Sequence, residues 1–466
     1  MTETDIYFMK KDLTTGSVTG NILHLAWPMM IAFLLEMGFN LVDTIFIGHY
    51  SADALAAISM TFPVVFLIIA IGSGIGIGVT SYIARLIGGK KIAQAKVVTK
   101  HALLLAFFLW IFLCILGLTL AKPLFQFIGG EGDILSMAVT YTNTIFIGSL
   151  FLFFTFLSTS ILRGEGDTKT PMIIMGISAI LNIIFDPFLI FGIWIFPELG
   201  IFGAAIATVA ARIIGTFAVL YYLFKGKAML KLDLKPFKIH LKVYREIFSV
   251  GIPASLSHSV ISFGMFFMLK IVSLFGPMAI AAYGVVGRLE MMSFIFAIGI
   301  AMAVVTIVGQ NVGAKNFDRA EKTAWTAAIL AFVSMGALGF IYFIIPGFFI
   351  SIFNQDPKII KYGSSYLRIV GLFYGFIGIE VIISSAFQGA GKGFPSLILQ
   401  TLRLFMISVP LGYILSRWFG VTGIWMAISA SILVISIVSA IWFRAGTWRK
   451  GKAVCVSEDV TDVVGP

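Results

Sequence analysis

PMMIAFLLEMGFNLVDTIFIGH, residues 28–49, is the stretch whose reading decides the fold. It is long and apolar enough to cross a bilayer, which takes roughly 20 such residues in a helix, yet it carries Glu36, Asn40 and Asp43. At spacings of i, i+4 and i+7 these three polar groups share one helix face. A charged side chain at the bilayer centre costs roughly 2.5–3.5 kcal/mol on insertion scales. An acid held there therefore points to function by default.

The rest of the chain repeats the apolar pattern. Its 466 residues are 59% hydrophobic and 12% charged, whereas soluble domains carry roughly a quarter charged residues. Apolar segments fall at 22–49, 55–84, 97–121, 135–161, 170–195, 200–224, 246–274, 277–312, 323–350, 362–387, 394–416 and 420–444. In lipid the backbone must satisfy its own hydrogen bonds, so each run predicts a transmembrane helix, with Pro28, Pro63, Pro187 and Pro253 as kinks. Lys and Arg gather at the N-terminus, after even-numbered helices and at the C-terminus, which places both termini in the cytoplasm of a multi-pass protein of the cell (inner) membrane. The net charge of +11 lies in these loops, with no aromatic-interleaved patch to suggest nucleic acid. Cys114 and Cys455 supply neither a disulfide framework nor a metal cluster. The polar opening residues, with Asp5, Lys10 and Lys11, do not resemble a signal peptide.

The longest polar connection, with Lys225, Lys227, Lys231, Lys235, Lys238, Lys242 and Arg245, divides the spans six and six. It reads as a solvated loop without a partner. The expected organisation is a cytoplasmic segment 1–21, an N-terminal six-helix lobe 22–224, a basic linker 225–245, a C-terminal six-helix lobe 246–444 and a cytoplasmic tail 445–466. An internal repeat supports it: "LAWPMMIAF" with "VGIPASLSH" at Pro28 and Pro253, "IARLIGGKK" with "VGQNVGAKN" at Ile83 and Val308, "LRGEGDTKTP" with "FQGAGKGFP" at Leu162 and Phe387, and "GIFGAAIAT" with "GVTGIWMAI" at Gly200 and Gly420. All fall at offsets between 220 and 225 residues. The fold class is thus an all-α polytopic membrane protein, twelve helices in two pseudo-symmetric six-helix lobes around a central cavity.

In order and spacing, these motifs together with "LNIIFDPFLIFG" on helix 5 resemble the multidrug and toxic compound extrusion family from Gly20 to about Arg444. The resemblance implies a secondary active efflux antiporter, not an enzyme, that exports cationic amphipathic compounds in exchange for H⁺ or Na⁺. The alternative is a lipid-linked oligosaccharide flippase of the same superfold. One branch of the family keeps an acid pair in the N-terminal lobe, and the matching positions here are Asp43, Asn182, Asp186, Ala204, Thr208 and Tyr141. In other branches the cation-linked acids lie on the seventh and tenth helices, but here helix 7 has no acid and helix 10 has only Glu380.

Depth supports the same constellation. At about 1.5 Å per residue, Asp43 lies roughly 10 Å, Asp186 roughly 13 Å, Thr208 about 12 Å and Tyr141 roughly 9 Å below the outer surface. Asn182 is one turn from Asp186, and Pro187 leaves the carbonyl one turn earlier without its usual donor. With Arg212 a turn deeper than Thr208, no basic residue shares the level of the acids. Protons must neutralise them, or Na⁺ must bind among Asp43, Asn182, Asp186 and Thr208. Carried to the second lobe, Asp43 becomes Met268 and Asp186 becomes Pro410. A requirement of the fold would recur there, so the acids read as functional.

Glu36, Asn40 and Asn143 are the candidate substrate-cavity residues, and Glu36 either meets a substrate cation or pairs with Arg212 or a helix-2 hydroxyl. Glu380 and Arg403 read as a structural ion pair. The run Gly72, Gly74, Gly76 and Gly78 reads as a surface for close helix approach, and Asp167 or Thr168 as the cap of helix 5. No cofactor beyond the coupling ion is expected. The partners are small cationic substrates and the bilayer, and the chain is expected to act as a monomer.

Overall fold

The computed structural model describes residues 12–226, 228–233 and 237–449. Residues 1–11, Lys227, Lys235 and the tail from residue 450, including Cys455, lie outside the described residues. Twelve helices among the described residues are long and apolar enough to cross a membrane: α1 Val18–Tyr50, α2 Ala52–Gly88, α3 Ile92–Phe127, α4 Gly132–Gly164, α5 Lys169–Ile190, α6 Gly200–Lys225, α7 Leu241–Phe275, α8 Pro277–Gly313, α9 Phe317–Ile344, α10 Pro357–Gly389, α11 Phe394–Phe419 and α12 Val421–Arg444. Most outrun the apolar segments, because a helix continues into polar residues once past the hydrocarbon.

Two ends differ from expectation. Helix α5 stops at Ile190 and not near Ile195, because the apolar run 191–196 turns back at Gly192 and Trp194, both at positive φ. Helix α9 stops at Ile344, where Pro346 opens a short separate helix Pro346–Ser351, since proline cannot donate into the preceding turn. Of the two cap candidates before α5, Asp167 accepts from the Thr170 N–H at 3.0 Å.

The repeat is structural. Within the first lobe α2 packs on α4, α3 on α4, α4 on α6, α5 on α6 and α1 on α5, and within the second α8 packs on α10, α9 on α10, α10 on α12, α11 on α12 and α7 on α11. Even irregular backbone recurs: Lys90 and Lys315 have φ of 58° and 60°, and Gly166 and Gly391 have 87° and 83°.

The lobes meet through α2 on α7, α1 on α8 and α2 on α8. Val18, Ile22, Leu25 and Ala26 at the start of α1 are buried in one cluster with Ile300, Ile307 and Phe387 of the second lobe. Helix α1 therefore begins in the core of one lobe and ends against α5 of the other. The glycine run works as two stripes. A Cβ at Gly74 would fall 2.3 Å from the Ser255 nitrogen and one at Gly78 2.3 Å from the Ile247 carbonyl oxygen on α7, whereas Gly72 and Gly76 face Phe156 and Ser160 on α4.

Polar contacts close the interface near the ends of α2, α4, α8 and α10. Ser81 donates to the Gln388 carbonyl at 2.6 Å, Thr306 to the Arg163 carbonyl at 2.9 Å and Gln310 to the Gly164 carbonyl at 3.1 Å. Arg85 pairs with Glu246 at 3.4 Å.

The linker is not the partnerless loop its charge suggests. Met229 and Leu230 donate backbone N–H groups to Glu165 at 3.0 and 2.8 Å, and Ala228, Leu230 and Leu232 are buried in the first lobe's core. Lys100 pairs with Asp233, and the His240 N–H donates to Nε2 of His101 at 2.9 Å. Ala228, Leu230 and Leu232, alternating with Met229, Lys231 and Asp233, supply the driving force, since every second side chain needs cover. Glu165→Ala removes the acceptor of two linker amides. We expect trypsin to cut the variant at Lys231 several-fold faster than the parent, and an unchanged rate on a gel time course would show that the linker is held elsewhere.

Candidate functional site

The acids predicted on α1 and α5 come together. Asp43 and Asp186 are buried, with Asp186 fully inaccessible, and each carboxylate lies in the field of the other. Asn182 on α5 donates its amide to Asp186 Oδ1 at 3.3 Å and to the Thr208 hydroxyl of α6 at 3.4 Å. Tyr141 of α4 is buried within the field of both carboxylates. Ala204, one turn before Thr208 on α6, is fully buried. Because α5 ends early at Ile190, Asp186 sits only about 6 Å of helix from its end, whereas Asp43 and Thr208 keep the depths of the sequence count, since α1 ends at Tyr50 and α6 begins at Gly200.

The unused bonding capacity of this cluster is its main feature. Asp43 Oδ1, Asp186 Oδ2 and Asn182 Oδ1 are all buried without a hydrogen-bond partner. Buried polar oxygens without partners are costly, and three of them from two helices form a donor set of hard oxygen atoms that suits a proton or Na⁺. Among the described residues no group of three or more His, Cys, Asp or Glu converges, so a transition-metal centre of that kind has no ligand set there.

A cavity adjoins the cluster. It is lined by Glu36 and Phe39 of α1, Leu152, Thr155, Phe156 and Thr159 of α4, Met175, Ser178, Ala179 and Asn182 of α5, and Thr208, Ala211 and Arg212 of α6. Asn182 and Thr208 belong to both the cavity wall and the acid cluster. Of the three predicted cavity residues, only Glu36 lines this space. Asn40 is exposed and donates its amide to the Glu36 carbonyl at 2.7 Å. Asn143 is half-buried, with its Oδ1 unpartnered.

Arg212 lines the same cavity as Thr208 and lies in the field of Tyr141, Glu36 and Asp43. The hydroxyls Thr155 and Thr159 went unread, although their i, i+4 spacing on α4 was a signal. In the second lobe Glu380, fully buried, stands 3.5 Å from Arg403 as expected for an ion pair. Glu290 accepts from the Tyr366 and Tyr374 hydroxyls.

Two repeated six-helix lobes that span a membrane, with a cavity and a buried acid pair inside the first of them, define a polytopic membrane transporter and not an enzyme. The chain belongs to the MatE family, whose model matches residues 28–188 and again 253–414. It is 31% identical over 445 residues to the probable multidrug resistance protein NorM of Thermotoga maritima, covering 95% of both chains. It is likewise 31% identical to the FAD transporter of Shewanella oneidensis, over 89% of this chain and 92% of the relative. A solved multidrug resistance MATE transporter in its outward-facing conformation superposes with a TM-score of 0.89 at 29% identity, covering 94% of this chain and 98% of the other.

Proposed function

We propose that this protein exports cationic amphipathic compounds in exchange for H⁺ or Na⁺, with Asp43 and Asp186 as the ion site. The observation that carries this reading is the sharing of Asn182 and Thr208 between the unsatisfied acid cluster and the cavity wall. Ion arrival at the acids and departure of substrate from the cavity then act on the same two side chains. Tyr141 and Ala204 complete the packing around the ion. Both termini face the cytoplasm in this reading, so the hydrogen-bonded lobe interface closes the cytoplasmic side and the cavity faces outward. Likeness to a relative solved in its outward-facing conformation supports that assignment. The working unit is a monomer, since one chain supplies every wall of the cavity and every oxygen of the cluster. A flippase for pyrophosphate-linked sugars needs several cationic side chains in its cavity, and the wall here offers only Arg212.

Neutralising the acids removes their mutual repulsion and lets α1 move relative to α5. Gly38 is the point of least resistance: a Cβ there would meet nothing within 4 Å, so packing does not require glycine. Replacing glycine by alanine in a helix adds roughly 1 kcal/mol of helical stability. Gly38→Ala should leave the melting temperature equal or higher and slow efflux several-fold, whereas an unchanged rate excludes bending there.

Transport in proteoliposomes with H⁺ and Na⁺ gradients imposed separately tests the coupling. Ethidium should move against one of the two gradients, and movement indifferent to both would defeat the proposal.

A further inference from the structure

A second cleft, of about 360 Å³, lies outside the acid cluster and its cavity, on the linker side of the first lobe. Helices α3 and α6 both pack on α4, and the cleft takes its walls from Leu104 and Phe107 of α3, Phe154 of α4 and Phe224 of α6, to which the linker adds Leu232 and Phe237. Phe107 and Phe224 are exposed, so the cleft opens towards lipid. Phe237 is held by the His101 ring at 5.0 Å and by the Lys100 ammonium 5.8 Å from its ring centre. The charge beside this apolar cleft is of one sign. Phe224, Leu232 and Phe237 each adjoin an exposed lysine in the chain, Lys225, Lys231 and Lys238. Asp233 is the only acid between residues 225 and 245, and Lys100 pairs with it. From this arrangement we infer that the cleft is a site for one anionic phospholipid of the leaflet on the linker's side, with an acyl chain against Leu104, Phe107 and Phe154 and the phosphate among Lys225, Lys231 and Lys238.

Each half of the surface does a separate task. An acyl chain gains little by exchanging lipid for apolar protein, so the cleft positions the chain while the lysines set the preference for an anionic headgroup. The linker itself lies at headgroup level. Ile239 and Leu241 are 60% and 79% exposed between Lys238 and Lys242, a pattern that suits apolar side chains dipping into the interface with cations beside them. Bound there, the lipid bridges α3 and α6 and braces the linker, the covalent tie between the lobes. Nothing in the inference depends on which ion or substrate the first lobe takes.

The test titrates the full-length protein in detergent with dioleoyl phosphatidylglycerol or dioleoyl phosphatidylcholine and reads the first bound lipid by native mass spectrometry. Phosphatidylglycerol should bind about tenfold or more tighter than phosphatidylcholine, the scale of preference that a few lysines give an anionic headgroup. Lys225→Gln, Lys231→Gln and Lys238→Gln combined should erase that margin. Leu104→Trp, which fills the cleft and leaves every lysine in place, should weaken the first phosphatidylglycerol by a similar factor. Lys90→Gln, Lys315→Gln and Lys322→Gln combined remove equal charge from exposed positions on the same side of the bundle, away from the cleft, and should leave the margin intact. No preference in the parent, or a margin lost equally in this control set, overturns the inference in favour of diffuse attraction to a basic surface. An affinity untouched by Leu104→Trp overturns it as well, and so does displacement of the lipid by glycerol 3-phosphate, which marks a site for a free phosphate.

Discussion

Asp43→Asn should reduce ion-driven ethidium efflux to the leak of protein-free vesicles, a loss of about a hundredfold or more that corresponds to roughly 2.7 kcal/mol of coupling. The substitution keeps the shape of the side chain and removes only its charge and its capacity to take a proton. Asp43 is buried with Oδ1 unpartnered, in the opposing fields of Asp186 and Arg212, and its burial outweighs the attraction of Arg212. Neutralising it therefore relieves strain within the lobe, and the melting temperature in detergent should hold or rise. That pairing of outcomes separates the two roles open to a buried acid. A structural carboxylate lowers stability when neutralised and leaves coupling intact in whatever folds, whereas a coupling carboxylate does the reverse. Asp186→Asn is expected to behave alike.

The second large effect lies at the pseudo-twofold axis. Gly88 and Gly313 occupy equivalent positions in the two repeats and touch the opposite lobe reciprocally. A Cβ on Gly88 would fall 1.8 Å from the Gln310 carbonyl oxygen, and one on Gly313 would fall 1.9 Å from the Arg85 carbonyl oxygen. Both obstacles are backbone, so no rotamer change relieves the overlap, and overpacking of this kind costs at least about 1–3 kcal/mol. Gly88→Val should push the lobes apart at this end, breaking the Ser81, Thr306 and Gln310 hydrogen bonds, and abolish efflux while the protein still inserts and folds. Spin labels at the exposed loop residues Lys90 and Lys315, read by double electron–electron resonance, should report a longer distance than in the parent. An unchanged distance with normal transport would mean that this contact does not form in the working cycle.

Much of this was legible in the sequence because membrane burial writes itself in long apolar runs and duplication leaves a constant offset. The offset that pairs Ile83 with Val308 also pairs Gly88 with Gly313, and the glycine run of α2 announced a tight helix contact before any partner was known. Where reading failed, hydropathy was blind to the deciding interaction. Residues 191–196 are as apolar as a span but form a turn, so Asp186 lies closer to a helix end than the count implied. The linker's lysines masked alternate leucines that dock on the first lobe. The acid cluster itself was found because a charge in an apolar helix is conspicuous, whereas Thr155, Thr159 and Ser178 are ordinary helix residues until a cavity appears beside them.

Coupling is reciprocal, since a ligand that biases one site must be biased by it in return, and this gives the most direct test of the central claim. Proteoliposomes holding the parent protein are loaded with ethidium, with no gradient of H⁺ or Na⁺, and the ion flux that accompanies ethidium exit is recorded. The account predicts uptake of one of the two ions as ethidium leaves, and none in vesicles carrying Asp43→Asn with Asp186→Asn. Ethidium exit through the parent protein without ion uptake, or the same uptake in the doubly substituted protein, would contradict it.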